Sequence, residues 1–274
     1  MQQTQVPRVI IEYQEFLSKF PSLQDLAKSS KAEVIQSWSG LGYNRRALLL
    51  HKFAQEVVEK YQGIIPSNKE KLAELPGIGP YTCGSVLSFA YNLPEPAIDV
   101  NVRRIYMRYF HGQDQGLPMG KKEENILFEL IKSTIPVNKS SQLHNALMDF
   151  GSLVCLRDAP MCAQCPLQAT CTFFPLYKDS PKQVLFVMEK KQEQGKKEGT
   201  RFIPNRIYRG RILELTRKKQ ETKLTLKELG KKVKKDYTSK DQHWLLDLCA
   251  RLQKEGFLDY TLTENFITLT LANS

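Results

Sequence analysis

The chain has 274 residues, a 41% apolar share and a net charge of +11, enough length for two or three domains with a sizeable core. No apolar run approaches the ~20 residues of a membrane span, and Met1-Gln2-Gln3-Thr4 lacks the apolar stretch of a signal peptide, so composition excludes a membrane protein and points to a soluble, cytoplasmic one. Residues 178–235 hold 19 Lys plus Arg against 7 Asp plus Glu, an excess larger than the net charge of the whole chain; such a stretch on a balanced body fits a polyanion partner or a solvated lysine-rich linker.

Residues 7–175 read as almost entirely helical. Ile10, Tyr13, Leu17 and Phe20 recur at helical spacing and stop at Pro21. Ser22 and Ser30 are N-cap candidates, and Ser30 with Glu33 and Ser67 with Glu70 have capping-box spacing. A longer amphipathic helix is predicted from Arg45 to Tyr61, closed by Gly63 and Pro66. Short helices over 67–75 and 81–92 flank Leu75-Pro76-Gly77-Ile78-Gly79-Pro80-Tyr81-Thr82-Cys83-Gly84. Asp99 then caps a helix carrying Val102, Ile105, Tyr106, Tyr109 and Phe110, and two more helices follow at about 121–133 and 140–153. Residues 176–200 have linker composition, with one apolar run, Val184–Met188, that suits a short strand. Beyond them, helices at 206–219, 224–233 and 239–256 and two strands, Phe257–Tyr260 and Phe266–Leu269, predict a winged helix. Arg206, Arg209, Arg211, Lys218 and Lys219 are candidates for phosphate contacts or for a solvated helix face.

Gly77 and Gly79 let the backbone come close to a ligand, because no Cβ intervenes. The amides opening the next helix favour an anion such as a DNA phosphate; the alternative is a plain tight turn. Asp99 is either a simple N-cap or a fixed carboxylate placed to stabilise a developing cation. Four of the six cysteines, Cys155, Cys162, Cys165 and Cys171, fall within 17 residues, which points to metal or cluster ligation rather than disulfides. Four thiolates satisfy a [4Fe–4S] cluster; structural zinc usually takes two close Cys pairs, and only one pair here is close. Cys83 and Cys249 lie in helical apolar patterns and read as small buried residues.

Leu75–Gly84, with Asp99 at its spacing, resembles the helix-hairpin-helix of the endonuclease III superfamily of DNA glycosylases. Gln2-Gln3-Thr4-Gln5-Val6, Trp38-Ser39-Gly40-Leu41-Gly42-Tyr43 and the Cys loop are similar to its MutY-type adenine branch, and the resemblance covers residues 1 to about 175. It implies an all-α glycosylase core with a six-helix domain over 1–119 and an iron–sulfur domain over 120–175, followed here by a basic linker over 176–200 and a winged-helix-like domain over 201–274. The implied activity is hydrolytic removal of adenine mispaired with guanine or 8-oxoguanine in double-stranded DNA, by a monomeric protein that is nucleoid-associated in a prokaryote.

The resemblance also implies residue roles. Asp99 stabilises the sugar cation, Asn101 hydrogen-bonds around that carboxylate, and Tyr81 assists beside it. Members that also cleave the strand carry a lysine at the position of Tyr81; tyrosine forms no Schiff base, which implies a monofunctional enzyme that leaves an abasic site. A half-buried aromatic at a helix start is the other reading of Tyr81. Gln3 corresponds to the intercalating residue, while Thr4 and Leu41 lie near the opposite base. Gly77, Gly79 and Thr82 grip the phosphate, and the four cysteines hold a [4Fe–4S] cluster with a structural or DNA-binding role.

The sequence departs from the family in three places. The family carries a glutamate four residues before the first Gln of Gln-Gln-Thr, which protonates the leaving base; here that position falls three residues before Met1, and the helix around it is missing. That predicts a start internal to the true gene, or else a product without its acid. Val100 stands where a glycine is usual, and its branched side chain is expected to crowd the pocket or forbid a positive φ. The C-terminal domain does not resemble the Nudix-like module of better-known members. Two further functions stay open: removal of thymine or uracil from G mismatches, and non-catalytic DNA binding.

Overall fold

The computed structural model describes residues 6–114, 120–179, 193–219 and 221–273. In chain order it begins with α1 (Val6–Lys19), α2 (Leu23–Lys28), α3 (Lys31–Ser37) and α4 (Arg45–Tyr61). There follow α5 (Lys69–Ala73), α6 (Pro80–Ser85), α7 (Val100–His111), α8 (Lys121–Thr134), α9 (Ser140–Leu153) and α10 (Phe173–Asp179). The C-terminal part holds β1 (Gly195–Glu198), β2 (Arg201–Pro204), α11 (Asn205–Arg217), β3 (Glu221–Leu224), α12 (Leu226–Val233), α13 (Gln242–Lys254), β4 (Leu258–Leu262) and β5 (Ile267–Leu271). No helix among the described residues is long and apolar enough to cross a membrane.

Local chemistry sets most of these boundaries. Ser22 and Ser30 each close a capping box, with Asp25 and Glu33, and satisfy amides that a helix start leaves open. The expected Ser67 box does not form. Asn68 caps α5 instead, accepting from the Lys71 amide at 2.9 Å; Asn is as good a cap as Ser and sits one residue nearer the helix. Helix α4 has the predicted bounds and ends on two left-handed residues, Gln62 (φ 56) and Gly63 (φ 82). Helix α6 runs on as a π-helical turn over Val86–Ala90, so the predicted 81–92 helix keeps its extent but changes its winding.

Two compact units divide the chain, one made of residues 1–64 with 191–274 and the other of residues 65–190. In the first, α11, α12 and α13 pack with a three-stranded antiparallel sheet of order β3-β5-β4, in register Lys223↔Thr268 and Tyr260↔Leu269. This is the expected winged helix, with a third strand that the sequence pattern does not announce. Its core of Tyr208, Ile212, Leu213, Leu248 and Phe257 also takes in Ile35 of α3, fully buried. A second cluster, Phe20, Leu26, Val34, Ala47 and Ala54, holds α2, α3 and α4 together. Gly195–Glu198, a linker by composition, pairs with β2 as a hairpin; the Val184–Met188 run lies outside the described residues. In the second unit, Val102, Ile105, Tyr106 and Met107 of α7 pack with Leu127 and Ile131 of α8, and α7 also lies along α9.

Candidate active site and cysteine pocket

The hairpin connects α5 to α6 through Leu75–Gly79. Gly77 has φ 80, a left-handed conformation that favours glycine. Gly79 differs: it is extended (φ −85) and precedes Pro80, the first residue of α6, and a Cβ built on it would meet nothing within 4 Å. Its value is therefore open approach rather than backbone freedom. The Ile78 amide is tied to Leu75 O at 3.1 Å and the Cys83 amide to Gly79 O at 2.8 Å, while the opening amides of a helix lack partners within it. Tyr81 and Thr82 are half-buried on the first turn of α6. Gly84, one turn on, has a packing role: a Cβ there would lie 2.0 Å from Pro96 O. The glycine lets α6 seat directly on Pro96 and Ala97, in the segment that leads to Asp99.

Asp99 is the N-cap of α7. Its Oδ1 accepts from the Asn101 and Val102 amides, both at 2.8 Å, and its Oδ2 accepts from Asn101 Nδ2 at 3.2 Å. The two readings of this residue are thus compatible, since one oxygen caps the helix while the other stays on the side-chain amide. Asn101 is held in turn: Arg104 NH2 donates to its Oδ1 at 2.8 Å. Arg104, buried, also donates to Gly151 O at 2.6 Å and to Cys155 O at 2.7 Å. A chain of polar contacts therefore runs from the carboxylate to the backbone of the cysteine loop. Val100 does not crowd this arrangement. It is the first residue of α7, its side chain is 67% exposed, and it does not take a positive φ. No hydrogen bond joins Tyr81 to Asp99 among the described residues.

His144, fully buried on α9, braces the segment before Asp99. Its Nε2 accepts from the Ala97 amide at 2.9 Å. Its Nδ1 is thereby left to donate to Ser140 O at 2.8 Å, with Ser88 Oγ at 2.8 Å. Burial holds its pKa below the ordinary value, although the nearby charge of Asp99 pulls the other way. Sequence inspection misses Arg104 and His144; the available signal is a polar side chain on the apolar face of an amphipathic helix.

Cys155, Cys162, Cys165 and Cys171 line one cavity of about 30 Å³, walled by Ile105, Val154, Leu167 and Phe173. Two short 3₁₀ turns, Cys162–Gln164 and Gln168–Thr170, carry Cys162 and end on Cys165 and Cys171, while Cys155 follows the end of α9. Among the described residues, no group of three or more His, Cys, Asp or Glu side chains is arranged to hold a metal ion. Four thiols on one cavity are a donor set that a [4Fe–4S] cluster or a zinc ion can accept. Burial raises the pKa of Cys162 and Cys165, and the Arg108 guanidinium opposes this at Cys162. Arg108 is buried against the loop. It donates to Leu156 O (2.6 Å), Arg157 O (2.8 Å) and Asp114 Oδ1 (2.8 Å), and its NH1 lies 3.7 Å from Cys155 Sγ. A fixed cation there would offset negative charge on deprotonated thiols.

In the other unit, the Trp38–Asn44 turn uses left-handed backbone at Gly40, Gly42 and Tyr43 and is tied by Trp38 Nε1 donating to Gly42 O at 2.9 Å. Leu41 is half-buried in a groove shared with Tyr13, Phe16, Trp38 and Arg46. Gln3 and Thr4 lie outside the described residues. Three of the arginines offered as phosphate contacts are engaged within the protein: Arg206 with Glu193 (3.2 Å), Arg209 with Glu255 (2.5 Å) and Arg211 with Glu198 (2.9 Å). Lys218 and Lys219 are exposed.

Residues 1–133 match the family described as HhH-GPD superfamily base excision DNA repair protein. An adenine DNA glycosylase of Buchnera aphidicola subsp. Baizongia pistaciae is 37% identical over 171 residues, 62% of this chain and 48% of that one. Adenine DNA glycosylases of Rattus norvegicus (38% over 173 residues, 62% of this chain and 33% of that one) and Mycobacterium tuberculosis (35% over 170 residues, 61% and 54%) are also similar. The chain thus spans a third to about half the length of these relatives. Among solved structures, a thermostable thymine-DNA glycosylase superposes with a TM-score of 0.58 at 29% identity, covering 64% of this chain and 79% of that one. A trapped endonuclease III–DNA covalent intermediate does so with a TM-score of 0.54 at 25% identity, covering 64% and 80%. With the glycine hairpin and the capped Asp99 in place, residues 1–133 belong to the HhH-GPD superfamily of base excision DNA repair proteins.

Proposed function

We propose that the chain is the catalytic part of a monofunctional adenine DNA glycosylase that acts on duplex DNA with adenine opposite guanine or 8-oxoguanine. The observation that carries this reading is the Asp99 carboxylate, fixed by three donors at the mouth of α7 in a chain 35–38% identical to adenine DNA glycosylases. In the reaction the C1′–N bond breaks, the bonding pair leaves with the base, the base takes up a proton, and water adds at C1′. Positive charge builds on the sugar as the bond opens. A carboxylate already held in place stabilises that charge without reorganising, or captures C1′ until water arrives. Asn101 and Arg104 are the groups that keep it there.

Tyr81 in place of an amine removes the Schiff-base route and with it strand cleavage. The open approach at Gly79 and the amides around Thr82 suit a backbone phosphate, a contact that positions the duplex without reading its sequence. Cys155, Cys162, Cys165 and Cys171 would hold a [4Fe–4S] cluster, which fixes the loop and takes no part in the hydrolysis. Removal of thymine is the second reading, favoured by the likeness to a thymine-DNA glycosylase.

Single-turnover excision on A:G, A:8-oxoG, T:G and U:G duplexes tests the proposal. Adenine release without borohydride-trappable adduct is expected. Cleavage of T:G with adenine left intact would overturn it in favour of the second reading.

A further inference from the structure

Beside the apolar contact of Ile35, the winged helix is joined to the N-terminal helices by the buried polar side chain of Arg217, at the end of α11 (7% exposed). Its Nε donates to Ile35 O at 2.9 Å, its NH2 donates to Asn44 Oδ1 at 2.8 Å, and its NH1 pairs with Glu214. The contacts return from the other side. Gln36 Nε2 donates to Arg217 O at 3.4 Å, and Ser39 Oγ donates to Glu214 Oε2 at 3.0 Å. Ser39 and Asn44 are the two shoulders of the Trp38–Asn44 turn.

Asn44 is informative. It occupies the N-cap position of α4, where an Asn side chain ordinarily accepts from the second or third helical amide. Here it makes no capping bond and sits in helical backbone. Its oxygen is given to Arg217 instead. The turn itself spends three left-handed residues, one of them the non-glycine Tyr43 (φ 47), a conformation that persists only where surrounding contacts hold it. Arg217 is suited to that task because its guanidinium is planar, always charged and able to serve several acceptors at once.

We propose that the winged helix acts as a clamp on the Trp38–Asn44 turn, with Arg217 as the positioning residue, so that the C-terminal domain sets where Leu41 sits. The domain therefore contributes to base removal through the geometry of the catalytic part, apart from any contact of its own with DNA. The link to base removal rests on the glycosylase reading of Leu41; the mechanical clamp does not.

The chain has two tryptophans, Trp38 and Trp244, so Trp244→Phe leaves Trp38 as the sole reporter in the turn. In that background Asn44→Ala deletes the acceptor without removing a helix cap, while Asn44→Asp restores it with a charge. Acrylamide quenching of Trp38 is expected to rise at least about twofold in Asn44→Ala and to return toward the parent value in Asn44→Asp. Single-turnover excision should fall about tenfold in Asn44→Ala and recover in Asn44→Asp, as expected for a displaced contact at a reacting site. Arg217→Lys, which keeps the charge but loses the fork, should resemble Asn44→Ala. Unchanged Trp38 quenching in Asn44→Ala, or failure of Asn44→Asp to restore it, overturns the clamp. If Trp38 responds as expected while the parent protein removes no base, the clamp stands and the glycosylase reading fails.

Discussion

Gly151→Ala sets two physical effects against each other at the candidate site. Gly151 is buried inside α9, where alanine is preferred over glycine by about 1 kcal/mol. A Cβ built there would lie 2.7 Å from Asn101 Cβ, 3.0 Å from its Cγ and 3.1 Å from its Oδ1. The Cγ can rotate away, but Asn101 Cβ is fixed to the backbone of α7. Carbon atoms pack at about 3.5–4.0 Å, so α7 and α9 must part by roughly 1 Å. Overpacking of this kind costs about 1–3 kcal/mol and outweighs the propensity gain, leaving a net loss of about 1 kcal/mol. The displacement falls on Asn101, whose bonds to Asp99 (3.2 Å) and Arg104 (2.8 Å) hold the carboxylate. Urea unfolding should show a lower midpoint at unchanged slope, and single-turnover excision should fall about tenfold or more. Ser152→Ala, an exposed neighbour on the same helix, should stay within about 0.5 kcal/mol. A Gly151→Ala protein as stable as the parent, with an unchanged rate, would refute the packing argument.

Four further outcomes follow from the geometry. Asp99→Asn retains the oxygen that accepts from Asn101 and Val102, and Asn is an equivalent cap, but its NH2 then faces the Asn101 Nδ2 donor; stability should fall by about 1 kcal/mol while excision drops about 10²-fold or more. Burial keeps the pKa of both His51 and His144 below the ordinary 6.5, so between the folded value and pH 6.5 each is neutral in the fold and takes a proton on unfolding. Their contribution is fully present above pH 6.5 and is lost as pH falls from there through the folded values, at up to about 1.4 kcal/mol per pH unit for each; His144→Gln should flatten that part of a denaturation-versus-pH profile. Replacing exposed Lys218 and Lys219 by Gln should reduce the salt dependence of duplex binding by up to about one unit of slope each, whereas Arg211→Gln, which breaks the Glu198 and Val233 contacts, should act on stability. Cys165→Ser should abolish the iron–sulfur absorption band and lower iron content, and an unaltered spectrum would refute the assignment of that ligand.

The helices were legible because their signals are local. Apolar spacing with Ser22, Ser30, Asp99 and the Arg45–Tyr61 pattern places helix starts and ends from residues close in the chain. The four-residue strands β1 and β3 were not legible. Gly195–Glu198 and Glu221–Leu224 are mostly charged or polar, and only pairing with Arg201–Pro204 and Ile267–Leu271 makes them strands. The arginines of α11 show the same limit. Composition marks them as cations, but ion pairs with Glu198 and Glu255 engage Arg211 and Arg209 inside the protein.

At the site, the sequence by itself determined the parts: a hairpin with glycines at 77 and 79, an acid at a helix start, and four thiols in one loop. The tertiary structure decided what fixes them. Gly84 admits Pro96, Gly151 admits Asn101, Arg104 connects the Asp99 network to the cysteine loop, and Arg217 reaches from α11 to Asn44. Each of these depends on the approach of segments distant in sequence. A glycine's missing Cβ or an arginine's reach acquires meaning only when the neighbour it accommodates or binds is in place.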